Sequence, residues 1–391
     1  MDSQGTLTQR LNGAVSRRID RLFFFGRADT AGAQWADAAF ALALSAIDLI
    51  FFLPFTMTQT VSAGTAACHP STGARLVADV GGTNARFAWQ AGPGLPLEAV
   101  QVLPCANYPT LQLAAHAYLA GLGRGMPQHA AIAIANPITG DQVRMTNHHW
   151  SFSQRAVKAE FGLTTLRLLN DFTALALALP ALPADELRQV GGGDARESAP
   201  KALIGAGTGL GVSGLLPDGR GQWVPLEGEG GHVTLPAATP RERLVVDGLT
   251  RLYGHASAER AVCGQGLFDT YTLLCEADGV AAPGCTSPAD VTTAALAGSD
   301  AQALEALTMF CAFLGSVAGN LALTLGALGG VYVGGGIVPR LGAWFDASPF
   351  RARFEAKGRF RAYLQAMPVW VITSTQSPAL LGASRALDGV A

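Results

Sequence analysis

Residues 75–90 read Arg-Leu-Val-Ala-Asp-Val-Gly-Gly-Thr-Asn-Ala-Arg-Phe-Ala-Trp-Gln. An apolar run ends in Asp79-Val80, a Gly81-Gly82-Thr83-Asn84 turn follows, and a second apolar run leaves it. The pattern predicts a strand, a glycine turn and a second strand. The plan returns in the second half. Lys201–Gly205, Gly211–Leu216 and Gln222–Leu226 read as three strands joined by glycine turns. The repeat is one of pattern and not of residue identity. Two halves that each open in this way predict two lobes with a cleft between them.

Working outward, Ala130–Ala135 and Leu166–Leu169 read as buried strands, and Leu111–Leu122 and Phe152–Phe161 as helices, the latter capped at Ser151 or Ser153. Phe172–Leu179 reads as a helix stopped by Pro180. Beyond the Pro- and Gly-rich stretch 180–200, helices are expected around Arg241–Leu252, Gly266–Glu276, Ala301–Leu325 and Leu380–Leu387. Strands are expected at Gly330–Val333 and Val369–Thr373. Strands alternating with helices make the class α/β.

Composition narrows the function. Of 391 residues, 27 are Lys or Arg and 29 are Asp or Glu, for a net charge of −2. That balance gives no electrostatic reason to bind nucleic acid. The charged share of 14 % is low, and 47 residues are Gly. The six cysteines (Cys68, Cys105, Cys263, Cys275, Cys285 and Cys311) form no Cys-x-x-Cys pair, which fits a reducing compartment and argues against structural zinc. Residues 1–73 do not match the rest. They carry scattered arginines and an apolar stretch at 38–55, interrupted by Asp48, and they read as an extension outside the fold. Met57 would make a natural start. A membrane anchor at 38–55 is the competing reading, and Asp48 near its middle counts against it.

Several turns could carry chemistry. At Gly81-Gly82-Thr83-Asn84, bare glycine backbone lets N–H groups approach an anion, and Asp79 at the strand end could hold Mg²⁺ through water. An ordinary hairpin turn has the same composition. Gly205-Ala206-Gly207-Thr208-Gly209-Leu210-Gly211 is denser in glycine. It is followed by a strand-like run and no obvious helix, which favours a phosphate turn in a hairpin over a dinucleotide fold. Two Gly-Thr turns, one per half, could grip a triphosphate from both sides. No Walker A motif occurs, so phosphate binding would rest on backbone amides and metal. Gly334-Gly335-Gly336 after a strand offers bare backbone to a purine, or simply close packing. Asn170-Asp171 sits at a strand end, where open α/β sheets place ligands; Asp171 could be a general base or the helix N-cap. Glu227, Glu229 and His232 lie on a Gly-rich turn suited to sugar hydroxyls, or to a solvated loop. Glu259 begins another helical stretch, where a carboxylate also suits the dipole. Asn147-His148 is a polar cluster, or a turn.

In this order the segments resemble the bacterial glucokinase family in its proteobacterial, ATP-dependent form. They are Leu-Val-Ala-Asp-Val-Gly-Gly-Thr-Asn-Ala-Arg (76–86), Met-Thr-Asn-His (145–148), Asn-Asp-Phe-Thr-Ala (170–174) and Gly-Ala-Gly-Thr-Gly-Leu-Gly (205–211). Gly-Glu-Gly-Gly-His (228–232), Ser-Ala-Glu-Arg (257–260), Gly-Gly-Val-Tyr-Val-Gly-Gly-Gly-Ile-Val-Pro-Arg (329–340) and Phe-Arg-Ala-Arg-Phe-Glu-Ala-Lys-Gly-Arg-Phe (350–360) follow. The resemblance runs from about Leu76 to the C-terminus. It implies the actin-like, hexokinase-type (ribonuclease H-like) ATPase fold: a small lobe of 74–180 plus 372–391, a large lobe of 181–371 and a hinged cleft. It implies transfer of the ATP γ-phosphate to glucose, with Mg²⁺, in the cytoplasm, and it suggests a homodimer. Position by position, Asp171 becomes the catalytic base, and Asn170, Glu229, His232 and Glu259 the sugar contacts. Asp79, Gly81, Gly82, Thr83, Asn84, Gly205, Gly207, Thr208 and Gly209 would serve the phosphates, and Gly334, Gly335 and Gly336 the nucleotide. A kinase for another hexose or an amino sugar, and a non-catalytic sugar- or nucleotide-binding regulator, are the alternatives on the same fold.

Overall fold

The computed structural model describes residues 73–388 apart from Asn147 and 281–283. The apolar stretch 38–55, nearly all of the extension expected over 1–73, and Asn147 lie outside the described residues.

Strands β1 (Arg75–Val80), β2 (Asn84–Gln90), β3 (Glu98–Pro104), β4 (His129–Ile134) and β7 (Thr165–Asn170) form one sheet in the order β3-β2-β1-β4-β7. A small hairpin, β5 (Gln142–Arg144) and β6 (Ser151–Ser153), stands apart. Strands β8 (Leu187–Gln189), β9 (Lys201–Ala206), β10 (Leu210–Pro217), β11 (Trp223–Leu226), β12 (Val331–Gly334) and β13 (Val369–Ile372) form the second sheet, in the order β11-β10-β9-β12-β13-β8. The first three strands of each sheet run antiparallel, and the next two parallel. The repeat visible as pattern is therefore a repeat of topology, with the two glycine turns at the same place in each half. The unforeseen partner in the first half is β3. Its residues are almost all exposed, so it lacks the apolar alternation that marks a half-buried strand.

The helices are α1 (Leu111–Leu122), α2 (Gln154–Glu160), α3 (Asp171–Ala178), α4 (Pro240–Tyr253), α5 (Ala258–Ala261), α6 (Gly264–Ala277), α7 (Pro288–Ala297) and α8 (Ala301–Leu325). Four short ones follow, α9 (Val338–Leu341), α10 (Ala343–Ala347), α11 (Phe350–Glu355) and α12 (Arg361–Gln365), then α13 (Pro378–Arg385). Ser153 caps α2, so the helix expected from Phe152 starts two residues later and Phe152 belongs to β6. Helix α8 is apolar and long enough to cross a bilayer, yet 78 % of its most apolar window is buried in the protein. The 350–360 motif explains why. The backbone of Phe350 lies against Gly315, and the Phe354 carbonyl lies 2.6 Å from where a Gly319 Cβ would stand. Arg353 Nη2 donates to Glu242 Oε2 at 3.1 Å and to Ser316 Oγ at 3.1 Å. These residues are clamps on the core helix, not part of a site.

Helices α3 and α13 pass between the two sheets. Ala174 of α3 joins Ala379, Leu380 and Ala383 of α13 against Val77, Ala131 and Ala133 of the first sheet. The opposite face of α3, with Leu175 and Ala176, packs on Leu203, Leu215 and Tyr332 of the second. The helices approach so closely that a Cβ at Gly382 would sit on the Ala174 carbonyl. Gly382→Ala should therefore cost about 2–4 kcal/mol, the upper range for overpacking because the obstacle is backbone. Chemical denaturation of the variant checks this; a midpoint equal to wild type would mean the helices can part without cost.

Candidate active site

Asn170, not Asp171, caps α3. Its Oδ1 accepts from Phe172 N at 2.9 Å and Thr173 N at 3.3 Å. Asp171 is then the first helical residue, and its Oδ1 accepts from Phe172 N at 2.9 Å. Burial pushes the Asp171 carboxyl above the usual carboxylate range, and the charges of Asp79 and Glu229 push it further. Three acids from β1, α3 and the loop after β11 therefore share one field. Asp79 is itself held, with Oδ2 accepting from Ser377 Oγ at 2.6 Å and from Arg86 Nη1 at 3.2 Å.

Asn170 and Glu229 line one cavity of about 140 Å³ together with Thr173, Glu227 and the Pro137–Thr139 segment beyond β4. Glu227 belongs to the Gly-rich turn read as suited to sugar hydroxyls; Thr173 and Thr139 carried no signal of their own. Asn136-Pro137 read only as the end of a strand, although the C-terminal end of a parallel strand is where such sheets place ligands. His232 lies one short turn beyond Glu229, with its N–H on the Glu229 carbonyl at 3.0 Å. Ala258 N donates to Val233 O at 2.8 Å, which brings Glu259 beside this turn. Glu259 does a second job: its Oε2 accepts from Leu210 N at 2.9 Å and so anchors the glycine loop.

A second cavity of about 460 Å³ is lined by Gly207, Thr208, Gly264, Gln265, Gly336, Ile337 and Arg340. Here the candidate phosphate and nucleotide residues divide. Gly207, Thr208 and Gly336 open onto the cavity. Gly205 and Gly334 are buried opposite each other in the sheet, and Gly335, at φ +79°, lies against the Ala206 backbone. For these three, close packing accounts for the missing side chain. Gly264 N donates to Gly207 O at 2.9 Å, tying the start of α6 to the loop. Gly264, Gln265 and Arg340 were missed because they converge only through the fold. Gly81–Thr83 forms the equivalent turn of the first half, closed by Gly81 N donating to Asn84 O at 3.0 Å. A third cavity, of about 480 Å³ along α4, carries none of the candidate residues.

Residues 76–389 match the family model described as Glucokinase. A glucokinase of Chromobacterium violaceum is 55 % identical over 313 residues, covering 80 % of this chain and 89 % of the relative. A Burkholderia pseudomallei relative named Bifunctional protein glk is 52 % identical, over 85 % of this chain; the match spans about half of that relative's length. The crystal structure of a glucokinase from an Antarctic psychrotroph superposes with a TM-score of 0.75 at 34 % identity, covering 81 % of this chain and 99 % of that one.

The double engagement of Glu259 generates a test. Glu259→Gln keeps an oxygen for Leu210 N and should raise mainly the glucose KM, about tenfold or more for one hydrogen bond to a charged group. Glu259→Ala should raise the ATP KM as well; equal effects of the two variants on both constants would separate Glu259 from the loop. The matched family model, a relative at 55 % identity and the repeated sheet topology converge: the chain belongs to the glucokinase family, with the actin-like, hexokinase-type fold.

Proposed function

We propose that this chain transfers the γ-phosphate of ATP to the 6-hydroxyl of glucose, giving glucose 6-phosphate and ADP. The observation that carries the reading is the place of Asp171, the first residue of α3, directly after Asn170, which lines the small polar cavity together with Glu229. A sugar alcohol is a poor nucleophile, so a carboxylate must accept its proton as the bond from O6 to phosphorus forms and the bridging bond to ADP breaks. Phe172 N occupies Asp171 Oδ1, which leaves Oδ2 for the proton. The transition state is loose, so positioning and charge neutralisation carry most of the rate.

Asn170, Glu229, His232 and Glu259 supply directional acceptors and a ring for the sugar hydroxyls, in keeping with a ligand that needs many hydrogen bonds. Gly81–Thr83 and Gly207–Thr208 supply backbone amides for the phosphates. The acids fit Mg²⁺. Asp79 and Asp171 repel one another as they stand, and a divalent cation would neutralise that pair. Asp79 would hold the ion through water, and the ion would offset charge on the phosphates. We read 74–180 with 372–391 as the small lobe and 181–371 as the large one. They would close about the α3–α13 pair to exclude water from the sugar. The need for ATP favours the cytoplasm, where the product would enter glycolysis.

The test is ADP release by the full chain with Mg·ATP across glucose, mannose, fructose, N-acetylglucosamine and no sugar. Release with glucose alone is expected, and Asp171→Asn should retain glucose binding while losing most turnover. No release with any sugar would move the regulator reading forward.

The pH profile gives an independent check. Asp171 must be ionised to act, so kcat should fall as pH drops through its raised pKa, above the ordinary carboxylate range. Glu229→Gln removes one of the charges that raises it, so the acid limb should move to lower pH. A limb that moves up, or does not move, would take Glu229 out of the field of the base.

A further inference from the structure

The segment between β13 and α13 crosses from the six-stranded sheet to the helix packed under the five-stranded one. It is pinned as it crosses. Thr373 N donates to the Glu186 carbonyl at 2.8 Å, and Ser374 Oγ donates to the Glu186 carboxylate. Ser377 then occupies the N-cap position of α13, ahead of Pro378, with extended backbone at φ −72° and ψ 110°. A serine there ordinarily turns its oxygen onto the first free N–H groups of the helix. This one makes no cap hydrogen bond. Its hydroxyl instead donates to Asp79 Oδ2 at 2.6 Å, across 298 residues of sequence.

Asp79 is nearly buried at the end of β1. Ser377 Oγ and Arg86 Nη1 both donate to the same oxygen, Oδ2. Among the described residues, Oδ1 receives no hydrogen bond. We infer that Ser377 is a positioning residue: by holding Oδ2 it fixes the Asp79 side chain so that Oδ1 is left to the cleft, on the side of Asp171, for the water shell of a divalent cation. Arg86 alone would restrain Asp79 less. Its guanidinium is 39 % exposed and its hydrogen bond is longer, at 3.2 Å. Because Ser377 lies on the crossing between the sheets, the metal-facing carboxylate is tied to the segment on which the lobes would turn.

This inference rests on the kinase reading above, and its test separates the two. Ser377→Ala, Ser377→Thr and Asp79→Asn are made in the full chain, together with the Ser377→Ala/Asp79→Asn double variant. Two quantities are read: the free Mg²⁺ giving half-maximal ADP release at saturating glucose, and the affinity of the enzyme–ADP complex for Mn²⁺, from the electron paramagnetic resonance of free Mn²⁺. Ser377→Ala should weaken both by about tenfold, the lower end for loss of a group that orients a metal-binding carboxylate. The glucose KM should stay at its wild-type value. Ser377→Thr, which keeps the hydroxyl, should restore both. In the Asp79→Asn background, Ser377→Ala should add nothing. Wild-type metal dependence in Ser377→Ala would overturn the proposal, as would an equal loss with and without Asp79. If wild-type protein releases no ADP with any sugar, the kinase reading fails by itself, while the Mn²⁺ titration still reports whether Ser377 acts through Asp79.

Discussion

The contact between α3 and α13 is the constraint on which the rest depends. Helix α3 packs on both sheets and α13 on the first, and the two helices approach so closely because Gly382 admits the Ala174 backbone. Alanines line the shared face. Small side chains let backbones approach, and close approach leaves little freedom to repack. Asn170 caps α3 and Asp171 opens it, so the packing that joins the sheets also sets the position of the proposed base. Phe172 reinforces the placement, since its ring fills the space where a Gly211 side chain would stand.

On the proposed reading, the protein would handle phosphate around that corner without a dedicated lysine. Gly207 and Thr208, the start of α6 at Gly264 and the Gly336 backbone surround the larger cavity. Amide dipoles placed by a hairpin and a helix start are pre-oriented, so little reorganisation is needed when charge arrives. The glycines divide into two kinds. Gly336 opens onto the cavity, whereas Gly205, Gly334 and Gly335 permit strands β9 and β12 to lie close enough for the cavity to exist. Glu259 joins the two functions, since one carboxylate anchors the phosphate loop and stands beside the turn that carries His232.

The acids Asp79, Asp171 and Glu229 come from three separate elements. Burial first, and then the charges of Asp79 and Glu229, push the Asp171 carboxyl above the usual carboxylate range. On the proposed reading, that shift would make Asp171 a stronger base than a solvated aspartate.

Much of this was legible in the chain. Apolar runs closed by Gly-Gly-Thr and Gly-Thr-Gly turns announced the paired hairpins, because strand period and turn chemistry are local properties. The Asn170–Asp171 corner was legible for the same reason, although the cap lies one residue earlier, on Asn170, and Asp171 opens the helix. Strand β3 was not, because an exposed edge strand lacks the burial that writes alternation into sequence. Nor was the 350–360 motif, whose basic residues serve partners such as Glu242 and Ser316 that lie far away in the chain. The sequence by itself determined the buried strands of the two paired hairpins, their glycine turns and the order of the chemical groups. Only the tertiary structure decided which glycines face a cavity and which face a strand, that Glu259 reaches Leu210, and that Ser377 leaves its helix for Asp79. Those choices depend on distances between segments far apart in the chain, and local propensity carries no information about them.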